Sequence, residues 1–167
     1  PNLKLLGRLA QVSAQTGGGD GQHNALVDEI RKTKAQFLAK YRPLIESNAV
    51  PINPYRVYGD LMKTIDLDNS FVTHDSGNTR DQTSTVYEAR IPHGYMGWGN
   101  VSTLGFGLAA ALAAKLAYPE RQCVNITGDA GVGYMMGNFE ALVRHNIGVT
   151  TIHINNKPNR GLPSLVT

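Results

Sequence analysis

Cys123-Val124-Asn125-Ile126-Thr127-Gly128-Asp129-Ala130-Gly131 is the stretch whose reading decides the fold, together with its answer at Val149-Thr150-Thr151-Ile152-His153-Ile154-Asn155-Asn156. The first run is short, partly β-branched and closed by Gly128, the pattern of a buried parallel strand that ends in a turn. Asp129 then stands at a strand's carboxyl end. Gly131 and Gly133 follow, and over residues 134–145 Met135, Phe139, Leu142 and Val143 recur at helical spacing, so one helix is expected from just beyond the turn to Gly148. The second β-branched run, residues 149–154, stops at Asn155-Asn156. A strand, a helix and a second strand of this length form a right-handed parallel crossover, which places both strand tips on one edge of a sheet.

Asp129 and Asn156, twenty-seven positions apart, therefore converge. In open α/β sheets ligands bind at that edge, and N–H groups at a helix start favour a diphosphate. Mg²⁺ fits beside it, because it seeks hard oxygen ligands and takes few from side chains, leaving the rest to phosphate and water. A carboxylate, an amide oxygen and a diphosphate meet that demand. From local sequence alone Asp129 is read as a cap of the helix that follows; the matched Asn156 reverses that in favour of the metal. Asn155 is given a structural role.

These residues resemble the thiamine diphosphate (ThDP) dependent enzymes, whose cofactor motif is Gly-Asp-Gly followed at this distance by Asn-Asn. The resemblance runs over residues 52–156. It takes in Ile52-Asn53-Pro54 opening a helix, the Asp75-Ser76-Gly77 turn, and Gly97-Trp98-Gly99 leading into Ser102-Thr103-Leu104-Gly105-Phe106-Gly107-Leu108, all similar to the diphosphate-binding domain of the acetolactate synthase group. It implies ThDP and Mg²⁺ as cofactors, with Gly128, Asp129, Ala130, Gly131 and Asn156 around the diphosphate and Asp129, Asn156 and the carbonyl of Pro158 as metal ligands. Asp75, Gly77, Asn78 and Thr79 match a turn that touches the diphosphate, although all four types also make ordinary turns. Leu104 matches the apolar residue that wedges the bent cofactor, and Ser102 the carbonyl that accepts from its aminopyrimidine.

The chain departs from the pattern at three places. Gln-His is common where Asn78-Thr79 stands. Ala130 replaces a glycine, which is tolerable if its φ is negative and strained if positive. Lys157-Pro158 is unusual after the Asn pair, since proline drives Lys157 towards extended geometry.

The organisation expected is an N-terminal remnant and glycine-rich linker over 1–21, an amphipathic connector helix within 22–50 closed by Pro43, and a diphosphate-binding domain over 51–167 that stops short of the family's last elements. Within that domain Asn53 caps a helix to about Ile65, residues 71–73 form a strand, and Ser102 or Thr103 caps an alanine-rich helix over 104–117. The fold class is α/β, an open and mostly parallel sheet with helices on both faces.

Charged residues make up 17% of the 167, and the net charge is +3 from 16 basic and 13 acidic residues. The basic residues are scattered, with the densest group on one helix, so nucleic acid is not an expected partner. The longest apolar stretch is broken by glycine and too short to span a bilayer. The lone cysteine, Cys123, is expected in the core, in keeping with a reducing, cytoplasmic setting. His93, next to Gly94 and Tyr95, could face a substrate, but His74 and His153 fall in strands and His145 near a helix end, so no histidine is assigned a function, and no nucleophile motif or P-loop is present.

The resemblance further implies that the cofactor's thiazolium carries the chemistry on a 2-oxo acid, by decarboxylation and carboligation. It also implies that the activating glutamate comes from a pyrimidine-binding domain of the same or a partner subunit in a homodimer or tetramer. This chain alone is then expected to be inactive. A simple 2-oxo acid decarboxylase or lyase is the alternative within the superfamily. A degenerate domain that keeps the fold without cofactor is the alternative of another class.

Overall fold

The computed structural model describes residues 20–99, 101 and 103–155. Contacts divide the chain into two units between Pro43 and Leu44.

In the first unit, α1 (Asp20–Ala39) is a single helix. Asp20-Gly21, at the end of the glycine-rich segment, lie within this helix, and the rest of that segment is outside the described residues. Leu26, Ile30 and Phe37 are exposed. The chain turns at Lys40-Tyr41 before the single turn α2 (Arg42–Ile45), so Pro43 sits inside a new turn and does not close α1.

The second unit is built on four parallel strands in the order β2-β1-β3-β4, where β1 is Ser70–His74, β2 Tyr95–Met96, β3 Gln122–Gly128 and β4 Thr150–Ile154. β1 pairs in register with β3 from Ser70↔Gln122 to His74↔Ile126, and β3 pairs with β4 up to Gly128↔Ile154. The chain leaves β1 in one direction to form β2, then returns to the other side for β3. Between β1 and β3 the winding reverses, and that reversal opens a crevice at the strands' carboxyl ends.

Helices cover both faces. The alanine-rich α5 (Phe106–Ala117) packs on β1 and β3, where Phe71, Cys123 and Ala114 form a buried cluster. Burial pushes the Cys123 thiol pKa up, as expected for a packed apolar residue. The alternate strand positions, including Val72, Val124 and Ile126, point to the opposite face and are also buried. There α3 (Pro54–Thr64), capped by the Asn53 side chain on the Tyr55 N–H at 3.0 Å, packs on α4 (Asn78–Val86), and α4 touches β1 and β3. Among the described residues no helix is long and apolar enough to cross a membrane.

Several elements differ from the sequence expectation, each for a local reason. α4 and β2 were not foreseen. The buried stripe of α4 is Thr79, Thr83 and Val86, and threonine carries little hydrophobic signal; the Thr83 hydroxyl folds back onto the Thr79 carbonyl at 2.5 Å. β2 has two residues, too few for a periodic pattern. α5 starts at Phe106 and not at Leu104, because Gly105 takes a left-handed conformation at φ +88 and caps the helix without a side chain, so Thr103 is not the cap. The single helix expected over 134–145 is two helices, α6 (Asp129–Met135) and α7 (Asn138–Arg144), divided at Gly137. α6 begins on Asp129 itself. α7 ends before Gly148, at His145, with Asn146 left-handed at φ 53.

His74 ends β1, only 3% exposed, with its Nδ1 2.9 Å from the Asp75 carbonyl and its ring against Tyr95 and the backbone of Gly97. Burial lowers its pKa below the ordinary 6.5. The folded protein therefore binds fewer protons than the unfolded chain below that pH, and stability must fall as pH drops through the histidine range. We expect the urea midpoint to be level above about pH 7.5 and to decline below about 6.5. His74→Gln should flatten that decline, as followed by circular dichroism.

Candidate functional site

The crevice at the sheet's winding reversal is a cavity of about 320 Å³. Three turns wall it: residues 76–79 after β1, Leu104 ahead of α5, and residues 128–131 after β3. Eight of the residues expected to bind cofactor line it, namely Gly77, Asn78, Thr79, Leu104, Gly128, Asp129, Ala130 and Gly131. Ser102, Asn156 and Pro158 lie outside the described residues.

Each wall follows from local sequence. Gly77 takes φ +85, ψ −146 at the N-cap of α4, a conformation open to glycine, and leaves the helix without a side-chain cap. The first intrahelical bond is donated by Arg80 to the Gly77 carbonyl, so the amides of Asn78 and Thr79 precede the helical ladder at the cavity wall. This is an electropositive helix start with nine residues of α4 aligned behind it. On the opposite wall Ala130 is inside α6, hence in right-handed helical backbone. The negative φ that an alanine requires is met.

Asp75 behaves differently from the expectation of a cofactor contact. It does not line the cavity; it is 1% exposed behind it. Its carboxylate accepts the Ser76 N–H at 2.7 Å and the Gly105 N–H at 2.9 and 3.0 Å to its two oxygens. Such charge-assisted bonds are what allow a carboxylate to be buried at all. Gly131 lies directly against this group: a Cβ there would stand 2.3 Å from Thr127 Oγ1 and 2.7 Å from Asp75 Cγ. One buried carboxylate thus joins all three cavity walls.

Asp129, by contrast, is half exposed at the rim, and its Oδ1 lies 2.8 Å from His153 Nε2 of β4. His153 carries no functional signal in the sequence, because a lone strand histidine has no partner in a one-dimensional pattern. Gln82 was missed as well. It lines the cavity one helical turn beyond Asn78, and the i, i+4 spacing was the available signal once α4 is recognised. Pro54, Ser76 and Ile154 complete the lining.

A parallel sheet with its ligand crevice at the winding reversal, amide donors on one wall and a rim carboxylate on the other defines an α/β domain built for a phosphorylated cofactor. The sequence pattern of the family described as thiamine pyrophosphate enzyme, C-terminal TPP binding domain, matches residues 75–159, and this chain belongs to that family. A probable acetolactate synthase of Mycobacterium bovis is 30% identical over 147 residues, 88% of this chain and 27% of the relative. A 2-hydroxyacyl-CoA lyase of Arabidopsis thaliana is 30% identical over 139 residues, 81% of this chain and 24% of that protein. A probable acetolactate synthase large subunit of Methanocaldococcus jannaschii is 31% identical over 103 residues, 59% of this chain and 17% of its own length. The chain spans about a quarter of the length of the first two.

Two substitutions probe the carboxylate that joins the walls. Gly131→Ala should overpack the contact with Asp75 and Thr127 and cost about 1–3 kcal/mol, read as a lower Tm in calorimetry. Asp75→Asn, which keeps the volume but turns one acceptor into a donor facing an N–H, should cost about 1–3 kcal/mol. It changes no cavity-lining atom, so a substitution without effect on Tm would contradict the structural role given to Asp75.

Proposed function

We propose that this chain holds the diphosphate of ThDP, with Mg²⁺, in an acetolactate-synthase-like enzyme that decarboxylates a 2-oxo acid and transfers the remaining fragment to an acceptor. The observation that carries the proposal is the single cavity into which the 76–79, 104 and 128–131 segments converge, all within or beside the residues that match the TPP-binding family. Bound ThDP would supply a nucleophilic carbon and an electron sink for the substrate.

The donor set suits that group. The α4 start offers amides of Asn78 and Thr79, and the Asn78 side chain adds a polar contact where the family often has Gln-His, while the Thr79 hydroxyl is turned inward, donating to the Asp75 carbonyl at 3.1 Å. Among the described residues no cluster of three or more His, Cys, Asp or Glu could hold a metal. A divalent ion held by Asp129 would draw its other ligands from phosphate, water and the residues that follow β4, where Asn156 and the Pro158 carbonyl would hold it. Leu104 provides the apolar wall and Ser102 the carbonyl for the aminopyrimidine. The activating carboxylate comes from a pyrimidine-binding domain of the same or a partner subunit in a homo-oligomer, working in the cytoplasm.

A lyase acting in the cleavage direction is the second reading, favoured by the 30% identity to the 2-hydroxyacyl-CoA lyase. Both readings need the same diphosphate site. The third, a degenerate domain without cofactor, loses one of its grounds because Ala130 sits in unstrained helical backbone.

Titrating ThDP into the full-length protein by calorimetry tests the site. Binding is expected with Mg²⁺, abolished by EDTA, and weakened about ten- to a hundredfold by Asp129→Ala, the weight of one contact to a charged group at about 1.5–3 kcal/mol. Absence of ThDP binding with Mg²⁺ would leave the degenerate reading standing.

A further inference from the structure

We infer that His153 is a positioning residue for Asp129, holding its carboxylate in the orientation that receives the metal. The inference rests on Asp129 being a metal ligand, as proposed above, and on three features of the pair.

The first is chemical. A carboxylate only accepts hydrogen bonds, so at 2.8 Å the proton lies on His153 Nε2, and the bond is N–H donated to Asp129 Oδ1. That occupies one oxygen and leaves the other as a ligand. The second is mechanical. Asp129 is the first residue of α6, half exposed, on a short side chain with freedom to swing, whereas His153 stands on β4, whose register against β3 pairs it with Thr127. The sheet fixes the donor, and the donor fixes the acceptor. The third is energetic. Both groups are more than a third exposed, so the contact between them contributes little to folding. Groups that hydrogen-bond a ligating carboxylate act on metal affinity, typically by about ten- to a hundredfold.

The test separates these effects. Mn²⁺ serves as the probe in place of Mg²⁺, with ThDP present, and free Mn²⁺ is read by electron paramagnetic resonance in the full-length wild type, Asp129→Ala, His153→Ala and His153→Gln. His153→Ala should weaken Mn²⁺ binding about ten- to a hundredfold while Tm stays within about 1 °C of wild type, as for a surface pair. His153→Gln, whose side-chain amide also donates an N–H, should recover most of the affinity. Equal or tighter Mn²⁺ binding by His153→Ala, with Asp129→Ala still impaired, would overturn the inference alone: His153 would then be indifferent or a competitor of the metal. Wild-type binding that does not depend on Asp129 would overturn the metal assignment and this inference with it.

Discussion

A buried carboxylate with no salt-bridge partner among the described residues is an expensive thing to fold, and the site of this domain is arranged around one. Asp75 stands at the tip of β1, where the sheet's winding reverses, with its charge balanced by backbone N–H groups from Ser76 and Gly105. Satisfying Asp75 requires that the chain preceding α5 return to the tip of β1 with its amide pointing inward, which the left-handed Gly105 permits. Gly131 then has to press the first turn of α6 against the same group. The cavity is what remains between three turns tied to one point.

That arrangement divides labour between two aspartates at neighbouring strand tips. Asp75 is enclosed, saturated with donors and structural. Asp129 is half exposed at the cavity rim, touched by one donor from β4 and able to accept another ligand. Depth in the fold, rather than residue type, separates the two roles. α5 contributes by close approach: Thr73 donates its hydroxyl to the Gly107 carbonyl at 2.8 Å, holding the helix start beside the strand tip that carries Asp75.

Much of this was legible in one dimension. The β-branched runs of β1, β3 and β4 and the Asn53-Pro54 helix start each carry a signal within a few residues, and the Gly128-Asp129 turn placed the ligand edge. Elements whose stability is supplied by neighbours were not legible. α4 presents threonines and one valine to the core, β2 has two residues, and the break between α6 and α7 at Gly137 interrupts a hydrophobic period that continues across it. The role of Asp75 as the buried tie is not legible in the sequence, because burial of a carboxylate depends on donors thirty residues away at Gly105.

By itself, then, the sequence determined the alternation of strands and helices, the parallel sheet, and the clustering of Gly77, Asn78, Thr79, Leu104, Gly128, Asp129, Ala130 and Gly131 about one edge. These follow from local periodicity, turn chemistry and the handedness of parallel crossovers. Only the tertiary structure decided which aspartate is buried, which helix amides face the cavity, and that His153 reaches Asp129. Those depend on distances between residues far apart in the chain, and no local pattern encodes a hydrogen bond across twenty-four residues.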